Sequence, residues 1–241
     1  MAFYFAVDAG KDIFGDPEPA PGVRVRFVIE KLFAARGKPF PLKGDEGLVV
    51  HQDPTGTITW PSQLWLVTDL ERPVRVLPGN TRVRCQAFTV EREAPVWLAA
   101  GPRGYAVQQV ITQAKALTSG QVAALAAISD EGEQELTQLL WKRWSDTHHR
   151  SGSPVGGALA AVHQAVDEAA RRTSPTLFEW SEDDGGAVLA DPAWIRAGQA
   201  ANRAALGYGA AGLLADEQHS VLTRRWMTVF GPPKPETVSH R

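Results

Sequence analysis

The period of the apolar residues changes once along this chain, near residue 95. Ahead of that point short runs alternate apolar and polar residues between Gly/Pro turns. Beyond it apolar residues recur every three or four positions among many Ala and Leu. Period two belongs to strands with one buried face, and period 3.6 to amphipathic helices. Strands and helices segregated in this way give an α+β fold rather than β-α-β alternation. We therefore expect a mainly antiparallel N-terminal sheet of about five to six strands over residues 1–95. A C-terminal helical bundle packed on that sheet should follow over 96–232. The two regions are expected to share one fused domain, with 233–241 a frayed tail.

Local signals fill in the plan. Phe3, Phe5 and Val7 fall on one face of a first strand. Residues 10–22 carry three Gly and three Pro and read as a long loop without regular structure. Gly47–His51 and Thr57–Trp60 flank Asp53-Pro-Thr-Gly56, a hairpin signal, and Leu64–Leu70 reads as a strand. Val74–Leu77 and Thr81–Val90 flank Pro78-Gly-Asn80, a second hairpin signal. The alternation slips at Gln86-Ala87, where a bulge is expected. From Gly104 the period becomes helical. Thr118 and Gln121 have capping-box spacing; Asp130 is expected to cap the next helix, with Glu133 at its third position. Ser153-Pro154 and Asp191-Pro192 each suit a helix start, and Glu182–Gly186 reads as an acidic loop.

Composition excludes several functions. The 25 Lys and Arg nearly balance the 27 Asp and Glu. Residues 1–100 hold equal numbers of each sign, and the remainder is slightly acidic. Neither half carries the basic footprint of a nucleic-acid binder, so no nucleic acid is expected as partner. No apolar run approaches the roughly 20 residues of a membrane span, so no membrane is expected either. The single cysteine, Cys85, excludes an intramolecular disulfide. With no export signal at the N-terminus, we expect a soluble, cytoplasmic protein. The abundance of Ala, Gly, Pro, Val and Arg matches bacterial coding usage of high GC content.

No motif of high specificity carries chemistry. Gly207-Tyr-Gly-Ala-Ala-Gly212 has the spacing of the dinucleotide fingerprint, but a helical pattern precedes it where the mechanism requires a strand. We read it as a helix break, and no cofactor is expected. Asp146-Thr-His148-His149 is the densest set of metal-capable side chains. It lacks a local third ligand, and a polar helix end explains it as well, so no metal is expected. His163 sits in an Ala-rich helix and reads as a core histidine or a general base. Cys85 reads as a buried, inert thiol. Trp60-Pro-Ser-Gln-Leu-Trp65 reads as packing, or as one rim of an aromatic pocket.

Two functions from different classes fit these features. The leading one is a non-catalytic binding or assembly protein, with a protein partner or a homo-oligomer as its complex. Missing catalytic motifs, neutral charge and eight tryptophans support it. The alternative is a small enzyme using Asp146, His149 and His163 as acid–base groups in a cleft between sheet and helices. Trp60, Trp65, Asp8 and Lys11 are the binding candidates in that cleft, with a small-molecule ligand.

Overall fold

The computed structural model describes residues 2–7, 15–31, 46–56, 63–75, 82–147, 154–183 and 185–236. The fold is α+β. The chain divides into two compact units, Met1–Ala99 and Ala100–Arg241. The change of apolar period near residue 95 falls close to that boundary.

The first unit is an eight-stranded antiparallel sheet. Its strands are β1 (Phe3–Val7), β2 (Gly15–Asp16), β3 (Arg24–Phe27), β4 (Leu48–His51), β5 (Gln63–Glu71), β6 (Val74–Arg75), β7 (Arg82–Cys85) and β8 (Ala87–Ala94). Their order is β2-β3-β8-β5-β1-β4-β7-β6. β7 and β8 are one strand bent at Gln86. The first half pairs with β4 and the second with β3 and β5, so the sheet curls and meets itself at the bend. Gln86 holds that corner. Its N–H donates to Glu71 O, its carbonyl accepts from Phe27 N–H, and its Nε2 donates to Glu46 O at 2.6 Å. The slip expected at Gln86-Ala87 is therefore this bend.

Curling turns one side chain in two toward a common interior. Phe5, Val25, Leu48, Val50, Val67 and Phe88 form its centre, and Phe3 and Val7 pack against it. The Phe5 and Phe88 rings lie 4.8 Å apart at a tilt of 49°. The backbone comes close at Gly47, where a Cβ would stand 2.6 Å from Cys85 O. The β5–β8 ladder slips twice, and Asp69 takes up the second slip in a left-handed conformation at φ 50°.

One expectation changes here. Residues 10–22 are not wholly irregular: Gly15–Asp16 pairs with Arg26 and Phe27. Of the hairpin expected after His51, the first strand forms and pairs with β1 and β7. Pro54–Gly56 is a 3-10 turn in which the Asp53 carboxylate accepts from Thr55 N–H at 2.8 Å. Thr57–Trp60 lie outside the described residues. The second hairpin forms, with Val74 opposite Arg84 and Arg75 opposite Val83.

The second unit holds six α-helices among its described residues. They are α1 (Gly104–Lys115), α2 (Ser119–Ala127), α3 (Glu133–Thr147), α4 (Pro154–Thr173), α5 (Pro192–Gly209) and α6 (Asp216–Phe230). A hairpin of β9 (Phe178–Ser181) and β10 (Gly186–Leu189) interrupts them, where only an acidic loop was expected. The Thr118/Gln121 capping box and the Asp191 N-cap form as their residue types predict.

α5 is the centre of this unit. Ala197, Ala200, Ala201, Ala204 and Ala205 are buried along it, and such small side chains let neighbouring helices approach closely. Gly207, the first glycine of the fingerprint spacing, lies inside this helix. A Cβ there would stand 3.1 Å from Thr223 Cγ2 and 3.3 Å from Leu222 Cβ of α6. The glycine serves helix packing, not phosphate. Trp226 of α6 is buried; its Nε1 donates to Gln113 Oε1 at 2.8 Å, and it stacks on Phe230 at 4.4 Å.

Candidate functional site

Of the candidate residues, Trp65 and His163 have described side chains. Asp8, Lys11, Trp60 and His149 lie outside the described residues. Asp146 lies in the last turn of α3, and its side chain falls outside the described set. His163 is on α4, but not on its buried face. Val162 and Val166 are buried, whereas the His163 side chain is 71% exposed with Nε2 3.9 Å from Asp167 Oδ2. Neither a core histidine nor an enclosed base stands there: at 100° per residue, position 163 rotates off the stripe of 162, 166 and 169. Trp65 is sealed in the sheet interior with 6% exposure, so it packs a core and lines no open rim. Cys85 is equally enclosed, and burial pushes its thiol up to about 12, leaving it protonated and unreactive.

The helical unit assembles a charged cluster instead. Glu133 opens α3 after Gly132 turns the chain at φ 76°. The helix therefore starts at Glu133 itself, not three residues after an Asp130 cap as expected, and the Glu133 carboxylate turns inward. Its Oε2 accepts from Arg203 Nη1 of α5 at 2.6 Å and from Arg225 Nη1 of α6 at 3.3 Å. Arg225 Nη2 donates further to Leu125 O and Arg196 O. Glu133 and Arg225 side chains are each 1% exposed. Asp130 stands 3.6 Å from Arg203 at the rim. Desolvation opposes its charge, but a backbone hydrogen bond and three arginines outweigh that and hold its carboxyl below the ordinary range. One carboxylate thus fastens α3, α5 and α6, and Arg225 adds the end of α2. Around Glu133 the Arg203 and Arg225 side chains turn inward and act as a fastening, whereas Asp130 at the rim lines an open cavity of about 620 Å³ with Glu131, Glu135 and Gln138.

A second cluster joins α1, α5 and α6. Arg103 Nη1 donates to His219 Nε2 at 2.8 Å, and the His219 ring meets Tyr208 edge-on at 5.3 Å. Desolvation first, then Arg103, lowers the His219 pKa, so the ring is a neutral acceptor. Burial pushes the Tyr208 phenol up to about 12, so it stays protonated. Both groups are held in one protonation state near neutrality. Among the described residues, no three His, Cys, Asp or Glu side chains are grouped to hold a metal ion. No helix there is long and apolar enough to cross a membrane.

The exposed features of the unit lie elsewhere. On the β9–β10 hairpin Phe178 and Leu189 are half-buried, and the Arg171 guanidinium lies 4.1 Å above the Phe178 ring. Arg171 also donates to Ala187 O. The base of the hairpin is thereby tied down. Trp180 shares the face of Phe178 farther out and is 72% exposed. Its cross-strand neighbour is the small Ala187. On α6 a groove of about 500 Å³ opens between Ser220, Val221, Arg224, Met227 and Thr228. Those positions share one face of the helix, opposite buried Leu222, Arg225 and Trp226.

The sequence held a signal for one missed feature and none for the other. Phe178 and Trp180 alternate with polar residues just ahead of an Asp-Gly pair, a hairpin pattern hidden by its four-residue strands. Glu133, Arg203 and Arg225 are each ordinary on a polar helix face. They are far apart in sequence, and only tertiary packing brings them together. No protein-family model matches the chain, and neither a curated protein nor a solved structure is significantly similar to it.

Proposed function

We propose that the chain is a non-catalytic binding and assembly module that docks through the tip of the β9–β10 hairpin. The observation that carries this reading is Trp180, 72% exposed on an isolated two-stranded sheet. Other tryptophans with described side chains give their indoles to packing, as Trp65, Trp194 and Trp226 do. An indole left in water adds nothing to the fold, whereas a buried one dominates an interface, and Trp is foremost among hot-spot residues. The acid–base alternative gains no support from His163, which stands in solvent beside Asp167.

The test is photo-crosslinking in living cells. A benzophenone amino acid at position 180 should yield a discrete protein adduct on irradiation. The same residue at position 163, equally exposed on α4, should not. No protein adduct from position 180 sinks the proposal.

A further inference from the structure

We propose that the partner of the hairpin is a second copy of this chain: Trp180 of one molecule seats in the α6 groove of the next. This rests on reading the hairpin as a docking element and names its occupant. Two surfaces of one chain complement each other. The knob is an indole beside small Ala187, with the exposed acids Glu182 and Asp183 in the adjoining turn. The hole is the groove on α6, where Val221 and Met227 supply apolar walls and Arg224 a cation.

The chemistry matches on three counts. A thioether makes favourable contacts with an aromatic ring, and Met adapts its shape to a guest. A guanidinium attracts the face of an indole. One Arg224 nitrogen already donates to Ser129 O at 3.3 Å, which steadies the side chain and leaves its other N–H groups for an acid of the hairpin. The groove carries no carboxylate of its own to repel those acids. A foreign partner would need the same elements, an apolar slot with a cation beside it; this chain already contains them.

The contact is heterologous, because the hairpin and the groove are different patches. Each bound pair keeps one hairpin and one groove unused, so assembly continues to a ring or an open chain. A hairpin tip in one groove buries less than the roughly 1,200 Å² typical of stable complexes, so association is weak and concentration-dependent.

Sedimentation velocity of the purified full chain is the first test. Its mean mass should rise with concentration, and Trp180→Ala and Met227→Glu should each weaken association at least tenfold. Both positions lie at the surface, and unchanged circular dichroism confirms the fold. The second test fixes the geometry with a short bismaleimide, to which buried Cys85 is silent. Mixed Ala187→Cys and Thr228→Cys chains should link to each other, and neither should link to itself. A monomer at all concentrations overturns the proposal, as does linking of Ala187→Cys chains among themselves. The adduct formed at position 180 in cells separates the two claims. An adduct with a different protein overturns self-assembly and leaves the docking role standing; no adduct removes both.

Discussion

His51 is an imidazole inside a sheet, 5% exposed, with Tyr4 beside it on β1 and Arg82 on β7. Desolvation first and Arg82 second lower its pKa from 6.5 to about 4, against a smaller opposing pull from Asp53. The folded state thus resists a proton that the unfolded chain accepts. Stability from this group is complete above pH 6.5 and is lost as pH falls toward 4, by about 3 kcal/mol in all. His51→Gln keeps a polar group without the titration, so its urea midpoint should fall less than that of the wild type between those two values. Parallel curves for the two proteins would exclude the assignment. Glu133 poses a different problem, a buried carboxylate that two guanidiniums face. Glu133→Gln leaves Arg225 buried without a counter-charge, and removing one partner of a buried pair costs about 3–5 kcal/mol. Equilibrium urea unfolding should show that loss. A change within the ±0.5 kcal/mol or so typical of surface sites would mean that the cluster is open to water.

Glycines in α5 separate intrinsic helix preference from packing. Gly198 has only Val166 Cγ1 near its missing Cβ, at 3.5 Å, an ordinary contact. Gly198→Ala should therefore stabilise the protein by about 0.5–1 kcal/mol through helix propensity. Gly207 is pressed against α6, and Gly207→Val should destabilise it by about 1–3 kcal/mol through overpacking. Thermal unfolding of the two variants should move in opposite directions; a shared sign would mean that α5 and α6 do not meet as described. The same pair shows what was legible in the sequence. The Ala stripe of α5, the Asp191 cap and the Thr118/Gln121 box are local patterns, and each appears where its spacing predicts. The role of Gly207 was not legible, because the residue across from it belongs to another helix. The Gln86 break was visible as a slip in alternation. Its consequence, one bent strand serving both ends of the sheet order, depends on pairings up to 65 residues away in sequence. The candidate site fared differently. Its Asp and His were chosen for chemical capacity, but Trp180 stands out by exposure, which local sequence does not encode.

At the scale of the whole molecule, charge does not hold copies apart. Net charge is −2 at pH 7 over 241 residues, so long-range repulsion between copies is slight. Short-range complementarity is then free to decide association. A head-to-tail contact makes a demand on mixtures that a symmetric contact does not. The Trp180→Ala chain has lost its knob but keeps its groove. The Met227→Glu chain has lost its groove, through a carboxylate that repels the acids of the hairpin, but keeps its knob. Each alone should sediment as a monomer. Mixed in equal amounts, they can form one contact, from the hairpin of the second to the groove of the first. That contact uses up both working surfaces, so the mixture should stop at dimers while wild type at the same total concentration grows beyond them. A symmetric knob-to-knob contact predicts that the Met227→Glu chain dimerises by itself and that no mixed dimer forms, because the Trp180→Ala chain has nothing to offer. Growth of the mixture past two copies would require a second contact that neither substitution touches.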